Sequence, residues 1–272
     1  MCQTRQIFTG IPTVFQENLT QYEADTIVKS IEISWATWGK MRDESLVLGD
    51  VSYVKAKNGR GFERIFSVSI KEEQEAGIQQ MIPDIKAGLM PDSMLITPNT
   101  KPTDLAEILL YKGFAIDDSA PCMMMNLDDY DEMKTECGDF IIAPVTNMNL
   151  PDWLNIINAA LFDGEMITLE QISDVWVLEN TYLYLGLIRD KPVTTCMTIL
   201  DGETSVLDMV GTLKDYRRRG LASTLIDRAL TDLRRKGVKS VSLRAEADGV
   251  VYKKLGFKEC FKRVVATYTG KE

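Results

Sequence analysis

The stretch Leu207-Asp208-Met209-Val210-Gly211-Thr212-Leu213-Lys214-Asp215-Tyr216-Arg217-Arg218-Arg219-Gly220-Leu221-Ala222-Ser223 runs an apolar strand into a polar connection and three arginines. A long amphipathic helix over Gly220–Lys236 follows. Gly220 and Ala222 lack bulk, so a ligand can approach the backbone closely where that helix begins. First-turn N–H groups have no partner inside a helix, and the macrodipole places partial positive charge on them. With Arg217, Arg218 and Arg219 beside those groups, the segment suits a pyrophosphate. It is not a Walker A loop, because GxxxxGK[ST] does not occur, and it lacks the three glycines of a Rossmann fingerprint. Taken alone, an arginine run at a helix start reads as a solvated face.

Downstream, a strand at Ser240–Arg244 leads to Ala245-Glu246-Ala247-Asp248-Gly249-Val250-Val251-Tyr252-Lys253-Lys254-Leu255-Gly256-Phe257. Arg217-x-x-Gly220-x-Ala222 between strand and helix resembles the acyl-CoA pyrophosphate loop of the GNAT superfamily of N-acetyltransferases. The run Tyr252-x-x-Leu255-Gly256-Phe257 resembles the second signature of that family. The two occur in the family's order with a strand between them, and the resemblance covers Asp139–Tyr268, about half the chain.

What the resemblance implies is an acetyl-CoA-dependent N-acetyltransferase. Met209, Val210 and Gly211 would offer main-chain groups to the pantetheine arm. Arg217, Arg218, Arg219, Gly220, Leu221, Ala222 and Ser223 would hold the pyrophosphate. Tyr252 stands at the position whose hydroxyl protonates the departing thiolate, and with an ordinary pKa of ~10 a tyrosine is a proton donor at neutral pH. As a packed aromatic, Tyr252 would need no such role. For the general base, Glu246 just beyond the strand is the first candidate and Asp208 the second. The family more often has a small polar residue at the Glu246 position. The acceptor implied is a small-molecule or peptide amine. A catalytically silent acyl-CoA binder or regulator is the alternative.

Composition narrows the rest. The 272 residues contain no histidine, which removes Ser-His-Asp and Cys-His catalysis and every His-containing zinc site. The five cysteines, Cys2, Cys122, Cys137, Cys196 and Cys260, form no CxxC pair. Neither a disulfide framework nor a metal site is expected, and reduced thiols in a cytoplasmic protein are. The N-terminus lacks a signal-peptide pattern. No apolar run approaches the ~18 residues a membrane helix requires. The net charge of −9 argues against nucleic-acid binding through Arg217–Arg219.

That charge is uneven. Residues 1–138 hold 22 acids and 13 bases, and residues 139–272 hold 18 of each. An acidic first half favours a cationic acceptor. Periodicity predicts a helix over Leu19–Met41, strands at Ser45–Ala56 and Phe62–Ile70 joined at Asn58-Gly59, a helix over Glu72–Ala87, a strand at Ser93–Thr97, a helix capped by Thr103, and a strand at Pro121–Leu127. Asp128–Glu132 reads as a linker. The second half predicts a strand at Phe140–Ala143, helices at Pro151–Phe162 and Thr168–Val175, a three-strand meander over Thr181–Gly211, the long helix, and a closing strand within Phe257–Tyr268. Helix, strand, helix, Gly-Phe, strand describes both 72–127 and 220–268, with Gly113-Phe114 echoing Gly256-Phe257. The expected fold is therefore α/β of the α+β type. It has two GNAT-like lobes, each a mixed, mostly antiparallel sheet flanked by helices. Residues 1–132 would form a degenerate copy without the arginine loop, and 133–272 the acetyltransferase domain. Trp35, Trp38, Trp153 and Trp176 are expected in the core or between lobes. Met123–Met125 are expected as strand filler, and Cys196 as inert.

Overall fold

Thr20 opens the first helix through a reciprocal cap. Its hydroxyl accepts the Glu23 N–H at 3.2 Å while its own N–H donates to the Glu23 carboxylate at 3.0 Å. The helix it starts, α1 (Gln21–Met41), buries Ile27, Ile31, Ser34, Trp35 and Trp38 along one face. The computed structural model describes residues 19–41, 45–56, 63–71, 75–133, 138–162, 164, 167–172, 178, 180–245 and 248–270.

The remaining elements of the first half are β1 (Ser45–Val47), β2 (Val51–Lys55), β3 (Arg64–Val68), α2 (Glu75–Lys86), β4 (Ser93–Ile96), α3 (Leu105–Tyr111) and β5 (Phe114–Asn126). The second half has β6 (Phe140–Pro144), α4 (Leu150–Leu161), β7 (Thr181–Ile188), β8 (Lys191–Asp201) and β9 (Thr204–Thr212). It ends with α5 (Leu221–Arg235), β10 (Ser240–Arg244), α6 (Val250–Lys254) and β11 (Lys258–Tyr268). Strand, strand, strand, helix, strand, helix, strand is thus the order of both β1–β5 and β7–β11.

All eleven strands among the described residues belong to one sheet in the order β1-β2-β3-β4-β11-β5-β10-β9-β8-β7-β6. Most neighbours are antiparallel. The parallel pairs are β3 with β4 and β9 with β10, each joined by a crossover helix, α2 or α5. The two halves trade final strands. β5 pairs with β10 of the second half, and β11 enters between β4 and β5. Gly113 and Gly256, both left-handed at φ 89° and 97°, end α3 and α6 and turn the chain into these exchanged strands. Phe114 and Phe257, which follow them, are both buried.

One face of the sheet carries α1 and α4. Trp38 joins Trp153, Ile157, Met197 and Val206 there, and Trp35 joins Phe66, Leu95 and Phe261. The other face carries α2 and α3 over Ile65, Met94 and Val264, and α5 over Cys196, Leu207, Val241 and Leu243. Among the described residues, no helix is long and apolar enough to cross a membrane.

Several local expectations change. Ser45–Ala56 is a hairpin rather than one strand: the chain turns at 48–50, where Ser52 Oγ accepts from Gly49 N–H and donates to its C=O, both at 3.1 Å. The helix expected to be capped by Thr103 has Asp104 at its N-cap, without a side-chain bond. β5 begins at Phe114, because its polar segment is paired by β11. The acidic stretch after β5 is strapped to α5. Buried Tyr130 donates its hydroxyl to Asp227, Met133 N–H donates to the same carboxylate at 2.7 Å, and Arg234 donates to Tyr130 C=O at 2.9 Å. The Asn58-Gly59 joint, Trp176, Cys2, Cys137 and residues 173–175 of the helix expected at Thr168–Val175 lie outside the described residues, and the described part of that segment forms only a 3-10 turn over 170–172. Trp35, Trp38 and Trp153 are core residues, and Met123 and Met125 fill the sheet as expected.

Candidate active site

The site begins where two strands part. β9 and β10 are paired only at Thr204–Ser240, Ser205–Val241 and Val206–Ser242. Beyond Val206, β9 runs on to Thr212 held by β8 alone, and β10 runs on to Arg244 against β5. The separation leaves a V whose inner edge on β9 is backbone without a β10 partner.

A bulge shapes that edge. Thr195 opposes Gly211 while Met197 opposes Asp208, so β9 holds one residue more than β8. Met209 takes φ 49°, a left-handed conformation unusual for a residue with a side chain. Two side chains hold it there. Asp208 Oδ1 accepts the Met209 N–H at 2.8 Å, and Thr195 Oγ1 donates to Met209 C=O at 3.1 Å. Gly211 has a steric reason to be glycine. A Cβ there would stand 3.2 Å from Ala160 Cβ and 3.4 Å from Thr195 Oγ1.

The arginine loop follows as a tight structure. Leu213 N–H donates to Val193 C=O at 3.0 Å, and a 3-10 turn occupies Lys214–Tyr216. Arg217 is a splint: Nε donates to Thr212 C=O at 2.9 Å and Nη2 to Ala160 C=O at 3.2 Å, which ties the loop to the end of α4. Arg219 lies over the Tyr216 ring at 5.2 Å and donates to Asp215 C=O at 2.9 Å. Arg218 takes φ 63°. All three arginines are exposed at the surface.

Gly220 is the N-cap of α5 at φ 80°, ψ −4°, with no side-chain cap, and an added Cβ would meet nothing within 4 Å. Glycine is therefore required here by conformation, not by crowding. Thr224 N–H makes the first bond to Gly220 C=O at 3.0 Å. The N–H groups of Gly220, Leu221, Ala222 and Ser223 thus have no acceptor within the helix. Leu221 is buried and anchors the turn.

Tyr252 lies in α6, half-buried against the α5 side of the sheet, edge-on to Phe257 at 6.0 Å between ring centroids. Gly249, at φ 67°, caps α6; a Cβ there would come within 2.7 Å of Met123 Sδ. Asp208 lies on the opposite face, under α1, so the structure does not bring the two together. Glu246 lies outside the described residues.

The geometry of Asp208 departs from the base role considered for it. Oδ2 accepts from Ser34 Oγ at 2.6 Å, Arg244 Nη2 at 3.2 Å and Trp38 Nε1 at 3.5 Å, and Oδ1 is taken by Met209 N–H. Both oxygens of this carboxylate are therefore already occupied by donors from the protein, which leaves it poorly placed to meet an incoming amine. Ser34, Arg244 and Thr195 were not singled out from sequence. The available signal was Ser34 itself, a hydroxyl within the apolar stripe of α1. The buried thiols behave as expected of inert cysteines. Burial pushes the Cys122 thiol up to about 12 and Cys260 up to about 11, and raises Cys196 as well.

The first half has a corresponding pair of parallel strands but no such opening. β3 and β4 pair only at Ile65–Met94, and the chain beyond β4 then closes the gap. Lys101 N–H donates to Val68 C=O at 2.9 Å, and Ile70 N–H donates to Lys101 C=O at 3.1 Å. The connection to α2 reads Lys71-Glu72-Glu73-Gln74-Glu75, acidic where the second half is basic. A cavity of about 440 Å³ between α4 and Gly164, Ile167 and Leu169 is lined by none of the residues of the V or the loop.

Residues 171–259 match the acetyltransferase (GNAT) domain family. That match lies wholly within the second half of the chain. The matched region contains the V, the bulge, the arginine loop and Tyr252. Similar solved structures extend the likeness over both halves. A GCN5-related N-acetyltransferase from Kribbella flavida superposes with a TM-score of 0.62 at 17% identity, covering 88% of this chain and 95% of that one. One from Sphaerobacter thermophilus gives 0.60 at 16%, covering 94% and 96%. A tandem GNAT protein from the clavulanic acid biosynthesis pathway gives 0.57 at 12%, covering 82% and 79%. At these identities the likeness is one of fold. No curated protein matches the sequence. The GNAT fold supports acyl transfer in general terms.

Proposed function

We propose that this protein transfers an acetyl group from acetyl-CoA to a primary amine by direct attack of the amine on the thioester. The observation that carries this reading is the V between β9 and β10, which opens onto the uncapped start of α5 beside three arginines. Acetyl-CoA is an elongated molecule with a thioester at one end of a pantetheine arm and a pyrophosphate at the other. The main-chain edge at Met209, Val210 and Gly211 fits the arm. Four N–H groups from Gly220 through Ser223, with Arg217, Arg218 and Arg219 around them, fit the pyrophosphate. Two features support this reading: an added Cβ at Gly220 would meet nothing within 4 Å, and β9 carries its bulge in the stretch beyond its last β10 pairing.

Bound acetyl-CoA supplies the activated carbonyl carbon, at which the C–N bond forms and the C–S bond breaks. The ammonium must lose one proton before its nitrogen can attack, and the nitrogen loses a second as the amide forms while the sulfur gains one, so one proton is released overall. Tyr252 is the proposed donor to the sulfur. Glu246, or a water chain beside it, is the proposed acceptor from the amine, since Asp208 is engaged with Arg244, Ser34 and Met209. The acid excess of the first half favours a cationic acceptor, a small molecule or a peptide amine. Residues 1–132 and 133–272 are read as two copies, the first without a cofactor site, and the reduced cysteines are taken to place the protein in the cytoplasm.

The test is a calorimetric titration with acetyl-CoA alongside a thiol-release assay over a panel of cationic, neutral and anionic amines. Binding with turnover on at least one amine is expected. Tyr252→Phe is expected to lower kcat with little change in acetyl-CoA affinity. Tight binding with no turnover on any amine would make the protein a silent acyl-CoA binder, and no binding would overturn the reading altogether.

A further inference from the structure

Ser34 belongs to the half of the chain that has no arginine loop, yet it reaches the V. Its side chain is fully buried on α1. Its hydroxyl donates to Asp208 Oδ2 at 2.6 Å and accepts from Arg244 Nη2 at 2.7 Å, while Arg244 itself meets Asp208 Oδ2 at 3.2 Å. The three groups form a closed ring of contacts. The charged pair keeps only 13% and 16% of its side-chain surface exposed. Asp208 and Arg244 stand two residues beyond the final ladder pair, Val206 and Ser242. The ion pair therefore bridges the two strands just beyond their last backbone pairing.

The other oxygen of the same carboxylate holds the bulge. Asp208 Oδ1 accepts from Met209 N–H at 2.8 Å, and Met209 is the residue at φ 49°. A left-handed backbone at a residue with a side chain is strained and persists only where its surroundings impose it. The orientation of the Asp208 carboxylate is thus shared between two tasks. One oxygen is aimed by α1 and β10, and the other holds the peptide unit whose neighbours edge the V.

We propose that Ser34 is a positioning residue for the acyl-CoA site. Through Asp208, helix α1 of the first half sets the bulge of β9 and hence the affinity of the second half for acetyl-CoA. This rests on the reading of the V as an acyl-CoA site. The first half then has a task that does not require a ligand of its own. Its longest helix lies over the parting strands and fixes their geometry.

A control stands one turn away on the same helix. Ser30 is also buried, but its hydroxyl donates to Ile27 C=O at 2.7 Å within α1. Ser34→Ala and Ser30→Ala make the same chemical change on one helix, and only the first touches Asp208. The experiment is a calorimetric titration of the full chain with acetyl-CoA, well below the melting temperature of every variant. Ser34→Ala is expected to raise Kd by about three- to tenfold, the range of coupling carried by a positioning contact. Ser30→Ala should leave Kd unchanged. Asp208→Asn should also raise Kd, and adding Ser34→Ala to it should raise Kd no further, because the path runs through that carboxylate. Trp38→Phe removes another donor to Asp208 while retaining an aromatic ring, and should weaken binding in the same sense if Ser34→Ala does not fold.

The outcomes separate cleanly. Wild-type protein that binds no acetyl-CoA overturns the acyl-CoA reading, and this proposal with it. Wild-type binding with an unchanged Kd in Ser34→Ala overturns this proposal alone. Equal losses in Ser34→Ala and Ser30→Ala, or additive losses in the double variant, would mean that α1 merely supports the fold, and would overturn it as well.

Discussion

Gly220 offers a sharp test of the phosphate site, because the protein contains its own control at the other end of the same helix. Gly220, at φ 80°, precedes α5 and Gly237, at φ 85°, follows it; an added Cβ meets nothing within 4 Å at either position. Alanine at either site therefore pays no steric cost and incurs only the left-handed penalty, on the order of 1–2 kcal/mol. At roughly 2–4 °C per kcal/mol for a chain of this size, each variant should melt about 2–8 °C lower, and by similar amounts. Affinity should distinguish them. Relief of strain at Gly220 rotates the peptide that presents the first unpaired N–H groups of α5, whereas relief at Gly237 disturbs only the helix end. Loss of one hydrogen bond to a charged group, about 1.5–3 kcal/mol, corresponds to roughly a 10- to 150-fold rise in Kd. Thermal melts and calorimetric titration with acetyl-CoA of Gly220→Ala and Gly237→Ala make the comparison. A Kd for Gly220→Ala within about twofold of that for Gly237→Ala would refute the assignment of the helix start to the pyrophosphate.

Calorimetry on the wild type should also give a stoichiometry of one acetyl-CoA per chain. Lys101 occupies the backbone of β3 where a second arm would lie, and the connection to α2 is acidic. A stoichiometry of two would contradict this. Thr20→Val should lower unfolding stability by about 1 kcal/mol at neutral pH, the worth of a helix cap. Hydrogen bonds from the Thr20 hydroxyl and then its N–H hold the Glu23 carboxyl below its usual range. The contribution of that group is present above the unfolded carboxylate value and lost as pH falls through the depressed folded value. The gap between wild type and Thr20→Val in urea titrations should therefore narrow on acidification, and a gap that widened would reverse the assignment. Leu225→Ala, at a fully buried position of α5, should cost about 2–5 kcal/mol in the same assay.

The parts of the fold that were legible in sequence are those written locally. The α5 stripe of Leu221, Leu225, Ile226, Ala229, Leu230 and Leu233 gave the long helix to within one residue at each end. The arginine loop and Tyr252-x-x-Leu255-Gly256-Phe257 gave the family of the second half, because backbone demands at Gly220 and Gly256 are satisfied by glycine itself. The exchange of β5 and β11 was not legible. Strand partners are chosen by exposed edges and available faces, and Lys258 and Met124 carry no mark of one another. The same holds for the ring at the V, where Ser34 and Asp208 are 174 residues apart. Asp208 could be recognised as a carboxylate on the right strand; only its neighbours reveal that its oxygens are already engaged. The division of Ser45–Ala56 was hidden for a different reason. Leu48-Gly49-Asp50 is too short a turn to interrupt an apolar alternation that continues on both sides.

The position of β11 has a consequence for how the chain is made. Every other described strand leaves the ribosome before it, yet its place is near the middle of the sheet, between β4 and β5. Until Lys258–Tyr268 emerges, β4 and β5 each present an open edge, and the first half waits with its sheet divided. The longest-range pairing must therefore form late, and it joins the two halves in the act of completing both. A stop codon before Lys258 would not trim a margin; it would leave a slot through the centre of the sheet. Two such truncated chains, each with the same vacant slot, would have every physical reason to aggregate through those edges.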